Sequence, residues 1–173
     1  MGGRMQASGE RRPTARLREL GVILPEPPRP LGHYEAAVQT GSLLVLSGML
    51  PLQHGAPTAV GRLGDRISLD EGRAAARLAA LNALAAAAAA LGSVDRIRRV
   101  VRATVSMTTT REFVAHAAVA DGASDLFASI FDQGHTRVAL GAYSLPLGAA
   151  ILLDVIYELR IEADHVELEA DHV

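Results

Sequence analysis

The residues that could do chemistry gather around Arg137, a lone cation at the head of the apolar run RVALGAY. A guanidinium in that setting is either a salt-bridged structural group or an anion-binding one. It is planar, charged at any useful pH, and matches a carboxylate with two parallel hydrogen bonds. His135, two residues before it, is the nearby side chain able to move a proton near neutral pH. Its bland reading, shared with His33, is a solvated loop histidine. Beyond the turn Ser144-Leu-Pro-Leu-Gly148 comes a second apolar run, Ala149 to Tyr157, broken only by Asp154. Asp154 reads first as a structural acid paired with an arginine, and second as a catalytic acid. Gly48, in Ser47-Gly48-Met49-Leu50-Pro51, permits a bulge or a close backbone approach to a ligand. There is no cysteine, which removes disulfides, thiolate nucleophiles and cysteine-based zinc sites. All 17 basic residues are arginine, which removes Schiff-base chemistry on lysine. His165 and His172, in the duplicated tail EADHVELEADHV, are too sparse a pair to read as a metal site. No metal and no cofactor is expected.

The elements that must position these groups follow from pattern. The runs on either side of Ser144–Gly148 are strand-like in length, and the Pro/Gly turn predicts that they are antiparallel neighbours. In the second run Leu152, Asp154, Ile156 and Glu158 share one face, and Ile151, Leu153, Val155 and Tyr157 the other. Both faces are largely apolar, so both call for cover. The chain's own helices can cover one, and the other is left for a partner subunit. Upstream, Ala15–Leu20 can make a helical turn or two before Gly21, and PEPPRP at 25–30 is extended. Tyr34–Gln39 and Leu43–Leu46 form a hairpin around Thr40-Gly41-Ser42, and residues 53–67 form a loop. Ser68 and Glu71 make a capping box for a helix to Leu91 with Gly92 as its stop. Asn82, polar in the middle of that helix, reads as a buried amide serving backbone groups. Val100–Met107 is a strand, and Thr109 with Glu112 predicts a second helix to about Asp132, which Gly122 weakens and could split. The expected architecture is α+β, a mixed sheet with two main helices packed on one face.

Composition sets the outer bounds. The 173 residues make one domain: a disordered N-terminal tail over 1–14, a folded domain over 15–160 and an acidic C-terminal tail over 161–173. Nearly half the chain is apolar but only 3% aromatic, so Ala, Leu and Val fill the core. The net charge of -2 argues against a nucleic-acid footprint. The N-terminus has no apolar signal segment, and no run approaches the ~18–20 apolar residues of a membrane span. A cytoplasmic protein that binds neither nucleic acid nor membrane is the expectation.

Three segments, LGVILPEPPRPLGHYEAAVQTGSLLVLSGMLPL, LDEGRAAARLAALNAL and TRVALGAYSLPLGA, together resemble the RidA/YjgF family, also called endoribonuclease L-PSP. The subgroup with an LPEPP lead-in is the most similar. The resemblance covers about residues 15–159 and rests on the SGxLP element combined with Arg-x(7)-Leu-Pro. It implies a chorismate-mutase-like fold and a homotrimer whose sheets form a central barrel with three intersubunit clefts. It further implies that Arg137 binds the carboxylate of an amino-acid-derived enamine or imine. Tyr34 would then be the cleft tyrosine, and Ser47, Gly48 and Ala139 would contribute backbone. Deaminating members carry a glutamate fifteen residues after the arginine to handle the attacking water. That position is Leu152 here. The family's second acid is kept as Asp154, about 6–7 Å further along a strand and short for the same water.

Three functions compete. One is a 2-iminobutanoate/2-iminopropanoate-type deaminase, a hydrolase of C–N bonds anchored by Arg137, with Asp154 or His135 as the only candidate bases. The second is a non-catalytic binding or regulatory trimer that takes small carboxylates in the same cleft, which Leu152 favours. The third, an endoribonuclease, is opposed by acidic charge and few aromatics.

Overall fold

The computed structural model describes residues 11–160. The two tail segments read from sequence lie for the most part outside them, including the duplicated EADHV stretch. The first helix, α1, spans Pro13–Glu19 with proline at its start and Gly21 in the left-handed region at φ 63 just past its end. The expected hairpin forms, with its first strand starting three residues later than the Tyr34–Gln39 reading: β1 (Ala37–Thr40) pairs antiparallel with β2 (Leu43–Leu46) around Gly41 and Ser42. Tyr34 lies before the strand. The stretch read as loop after residue 53 contains a small ribbon, β3 (Leu52–Gln53) with β4 (Ala56–Pro57).

The capping box builds the long helix α2, Leu69–Leu91. The Glu71 N–H donates to Ser68 Oγ at 3.3 Å, and the Ser68 N–H donates back to Glu71 Oε2 at 2.8 Å. Together these satisfy donors that every helix start leaves orphaned. Gly92 closes the helix in the left-handed conformation at φ 81. The alanine run makes α2 long and apolar enough, by length and composition, to cross a membrane, contrary to the sequence reading. Here it is the core helix, with Ala76, Ala79, Ala80, Ala83 and Leu84 at zero exposure. A turn of 3-10 helix at Val94–Arg96 leads into β5, Ile97–Thr108. Helix α3 spans His116–Ile130, followed by β6 (Thr136–Ala142), a short turn at Pro146–Gly148 and β7 (Ile151–Leu159).

The sheet order is β1-β2-β7-β5-β6, with α2 and α3 on one face. This corrects the expectation that β6 and β7 are neighbours. The unit β5-α3-β6 is a crossover, and a helix that returns the chain to its starting end makes the next strand parallel. β6 therefore pairs parallel with one edge of β5, and β7 pairs antiparallel with the other. Two further expectations fail. α3 does not start at a Thr109/Glu112 box, because Thr110 N–H bonds the Leu63 carbonyl at 2.9 Å and Arg62 binds the Thr109 carbonyl at 3.0 Å. Those contacts tie Thr109 and Thr110 to the 62–63 segment, and Arg111 and Glu112 form an isolated turn instead of a first helical turn. Gly122 does not split α3 either. It lets α3 approach α2 so closely that an added Cβ would lie 2.1 Å from the Arg73 carbonyl oxygen.

Along β7, Ile151, Leu153, Val155 and Tyr157 are fully buried beneath the helices. Leu152, Asp154, Ile156 and Glu158 alternate with them on the opposite face and are half-buried. The register extends that second face through Val45, Ile156 and Arg102, and through Leu152, Ser106 and Leu140. Val45 and Leu140 are exposed on it.

Candidate functional site

The residues singled out in the sequence fall into two groups, one beside β2 and the central strand β7 and one on the β6 edge. The first is a cleft of about 310 Å³ beside β2 and β7, lined by Tyr34, Ser47, Gly48 and Leu152 together with the extended lead-in at Pro28–Leu31 and the turn residue Pro146. Its walls are pinned by backbone chemistry. The Tyr34 hydroxyl accepts the Leu31 N–H at 3.0 Å, which folds the lead-in over the cleft. Ser47 donates its hydroxyl to the Glu35 carbonyl at 2.7 Å. Met49 and Leu153 exchange both backbone hydrogen bonds, at 2.8 and 2.9 Å. From beneath, Asn82 donates to the Leu50 and Leu52 carbonyls at 2.9 and 3.0 Å, as its position in α2 indicated. Gly48 is there for space: an added Cβ would lie 2.9 Å from a Leu152 methyl. The floor of the cleft is thus glycine backbone against an isobutyl group, with Arg29 of the lead-in as a lining cation.

The second group surrounds Arg137. In the β-ladder Arg137 sits opposite Ala103, and Ala103 opposite Val155, both buried under the helices. Arg137 therefore projects on the helix face, at the β6 edge. Its Nη1 donates to Asp121 Oδ1 at 2.6 Å and to Ser124 Oγ at 3.0 Å, both from α3. Ser124 Oγ also lies 3.1 Å from His135 Nε2. The His135 ring meets Phe127 edge-on at 5.8 Å. Burial first, and the Arg137 charge second, hold the His135 pKa below the usual histidine value. A neutral ring keeps one donor and one acceptor nitrogen, so the Ser124–His135 hydrogen bond runs in the direction its tautomer sets, while Arg137 Nη1 donates to the same oxygen. Ala139, further along β6, is half-buried against the core.

One chain does not bring the two groups together. Arg137 and Ala139 are not among the cleft residues, and Leu152 projects from the face opposite to Arg137. Asp154 and His135 do not line the cleft. Asp154 stands opposite Thr104, with its carboxyl pKa raised by burial. The expectation that an arginine pairs with it fails: among the described residues it has no ion pair, and the acid paired to β5 arginines is Glu158, bound by Arg98 and Arg99. A low-dielectric face favours a neutral carboxyl where no cation compensates. Sequence reasoning missed Asp121 and Ser124. Their spacing of one helical turn, in the helix just before the strand carrying Arg137, was the available signal.

The chain matches the family model described as YjgF/chorismate_mutase-like, putative endoribonuclease, over residues 14–159. It is 40% identical over 157 residues to Protein TCP17 of Trypanosoma cruzi, covering 89% of this chain and 97% of that one. A Shewanella oneidensis MR-1 crystal structure that carries the same endoribonuclease description is 35% identical, with a TM-score of 0.82, covering 86% of this chain and all of that one (100%). E. coli TdcF with bound serine shares the fold at 22% identity and a TM-score of 0.58, covering 79% of this chain and 94% of that one.

A histidine whose folded-state pKa is depressed favours folding most above its unfolded pKa of about 6.5, and that contribution is lost as pH falls. Urea titrations should therefore show the wild type losing stability between about pH 6.5 and 5 more steeply than His135→Gln, which keeps a hydrogen-bonding group for Ser124. Equal slopes for the two proteins would show that His135 charges as freely in the fold as in the unfolded chain.

Proposed function

The chain belongs to the YjgF/chorismate mutase-like family, and from that premise we propose that it is a homotrimer binding small carboxylates in intersubunit clefts through Arg137, with weak imine deaminase activity at most. The observation that carries this is the separation of the two half-sites. The cleft with Tyr34, Ser47, Gly48 and Leu152 lies toward the β1–β2 end of the sheet, and Arg137 stands on the β6 edge at the other. A ring of copies that abuts these two ends places the guanidinium of one chain over the cleft of the next. The uncovered face of Val45, Leu140, Leu152 and Ile156 supports the same assembly, since apolar surface of this kind is ordinarily buried against a partner. TdcF, which shares the fold, holds serine, a small molecule with a carboxylate.

In this reading the carboxylate docks on Arg137, and a C=N group lies toward the Gly48–Leu152 floor. Hydrolysis requires water to add to that carbon before ammonia leaves. A general base in reach of the water typically contributes 10²–10⁴-fold. Leu152 can neither accept a proton nor hold water by a strong hydrogen bond, and its methyl groups already fill the space at Gly48. The floor is dry, which strengthens a charged contact while depriving hydrolysis of its nucleophile. This observation favours the reading in which binding, rather than turnover, is the main activity. A ribonuclease reading has no comparable support, because the cleft offers neither a basic surface nor a stacking platform beyond Tyr34.

Light scattering at micromolar concentration is expected to return three times the chain mass of 18.2 kDa. A monomer would remove the intersubunit cleft. Calorimetry with pyruvate or L-serine should show Arg137→Ala weakening binding about ten- to hundredfold, the range for losing a charge-assisted hydrogen bond of roughly 1.5–3 kcal/mol. Unchanged affinity would return Arg137 to a purely structural role and leave Arg29 as the cation of the cleft. On a 2-aminoacrylate-type substrate the wild type should turn over slowly or not at all, and Leu152→Glu should raise the rate by about 10²-fold or more. A wild-type rate matching an authentic family deaminase assayed beside it would sink the assignment of Leu152.

A further inference from the structure

Resting on the reading of Arg137 as the carboxylate anchor, we infer that Asp121 and Ser124 of α3 are positioning residues that fix which edge of its guanidinium meets the ligand. A guanidinium has five N–H donors, and Nη1 carries two of them. Both are used: one on Asp121 Oδ1 at 2.6 Å, the other on Ser124 Oγ at 3.0 Å. Among the described residues, Nε and Nη2 have no partner. Those two nitrogens form the side-on fork that grips a carboxylate with parallel hydrogen bonds. The clamp therefore occupies the inner corner of the guanidinium and leaves the Nε–Nη2 edge for the ligand. The ring is anchored in turn. Ser124 is tied to His135 Nε2 at 3.1 Å, and His135 is seated on Phe127, which is buried.

Two effects of Asp121 oppose each other, and their signs differ. Its negative charge partly neutralises Arg137, which weakens attraction for an anion. Its fixed oxygen holds a long, rotamer-rich side chain in one pose, which spares the ligand that ordering cost. The Arg137 and Asp121 side chains are 25% and 42% exposed, so solvent screens the charge effect heavily. Screening does not reduce the geometric effect. Orientation therefore outweighs neutralisation, and removing the acid should weaken anion binding rather than strengthen it.

The test is calorimetry with pyruvate and with L-serine on the full chain. Asp121→Ala should weaken binding by about three- to tenfold, the loss expected when one side chain must be ordered by the ligand. Asp121→Asn keeps the acceptor oxygen and removes the charge, so it should bind at least as tightly as wild type. Ser124→Ala should weaken binding in the same direction as Asp121→Ala, and thermal melts of each variant report whether it is folded. If Asp121→Ala binds as tightly as wild type or more tightly, while Arg137→Ala loses the ligand, Asp121 is only a competitor for the anchor and the inference fails. If Asp121→Asn weakens binding as much as Asp121→Ala, the charge rather than the acceptor matters and the inference also fails. If the wild type binds neither probe, or Arg137→Ala binds both unchanged, the anchor reading itself falls and takes the positioning role with it.

Discussion

The contact on which both half-sites depend is the seam between α2 and α3. Gly122 lies against the Arg73 backbone, and an added Cβ would fall 2.1 Å from the carbonyl oxygen. Gly72, on the same helix as Arg73, is nearly as tight, with Leu63 and Val119 against it. Arg73 itself reaches over α3 to the Ala118 carbonyl at 3.3 Å and to Asp125 at 2.6 Å. Helices without side chains at the crossing can approach to backbone contact, and a packed interior then fixes them rigidly. That seam sets where α3 presents Asp121 and Ser124 to the β6 edge. The middle of α2 sets the cleft, because Asn82 grips the carbonyls of Leu50 and Leu52. One helix thus calibrates an arginine on one edge of the sheet and a glycine floor toward the other.

Much of the fold was legible because its signals are local. The capping box at Ser68 and Glu71, the stop at Gly92, the hairpin at Gly41 and the alternation along β7 each depend on a few adjacent residues, and each appears where it was read. What failed depends on distant contacts. Nothing local says that β5 inserts between β6 and β7; the crossover geometry of α3 decides it. Thr109 and Glu112 carry the letters of a capping box, but Leu63 and Arg62, more than forty residues earlier, take up the backbone of Thr109 and Thr110. Gly122 reads as a helix weakener when its neighbour in space, Arg73, is unknown.

The site divides along the same line. Residue types and spacing pointed to Arg137 and Gly48, the family resemblance pointed to Leu152, and the packing of Leu152 into the space above Gly48 gives that pair a physical meaning. The clamp on Arg137 was not read, because Asp121 and Ser124 are unremarkable letters in an amphipathic helix until the register of β6 is known. Asp154 was misjudged for a related reason. Its face is half-buried, its ladder partner is Thr104, it has no ion pair among the described residues, and burial raises its carboxyl pKa.

The ion pair between Arg137 and Asp121 is partly exposed, and such pairs contribute only about 0–1 kcal/mol to stability. The β6 edge does not need it to stay folded, since β6 is paired along its whole length with β5. Its consequence is geometric: it converts a flexible cation on an edge strand into a fixed donor pair. In the proposed function the apolar floor at Leu152 would face the other end of a bound molecule, where a water would have to stand. A fixed donor pair lowers the cost of holding a carboxylate, and an apolar floor raises the barrier to hydrolysing what is held. In the proposed function the two features act on different steps, so affinity would be set by Arg137 with its α3 clamp and turnover by Leu152 against Gly48.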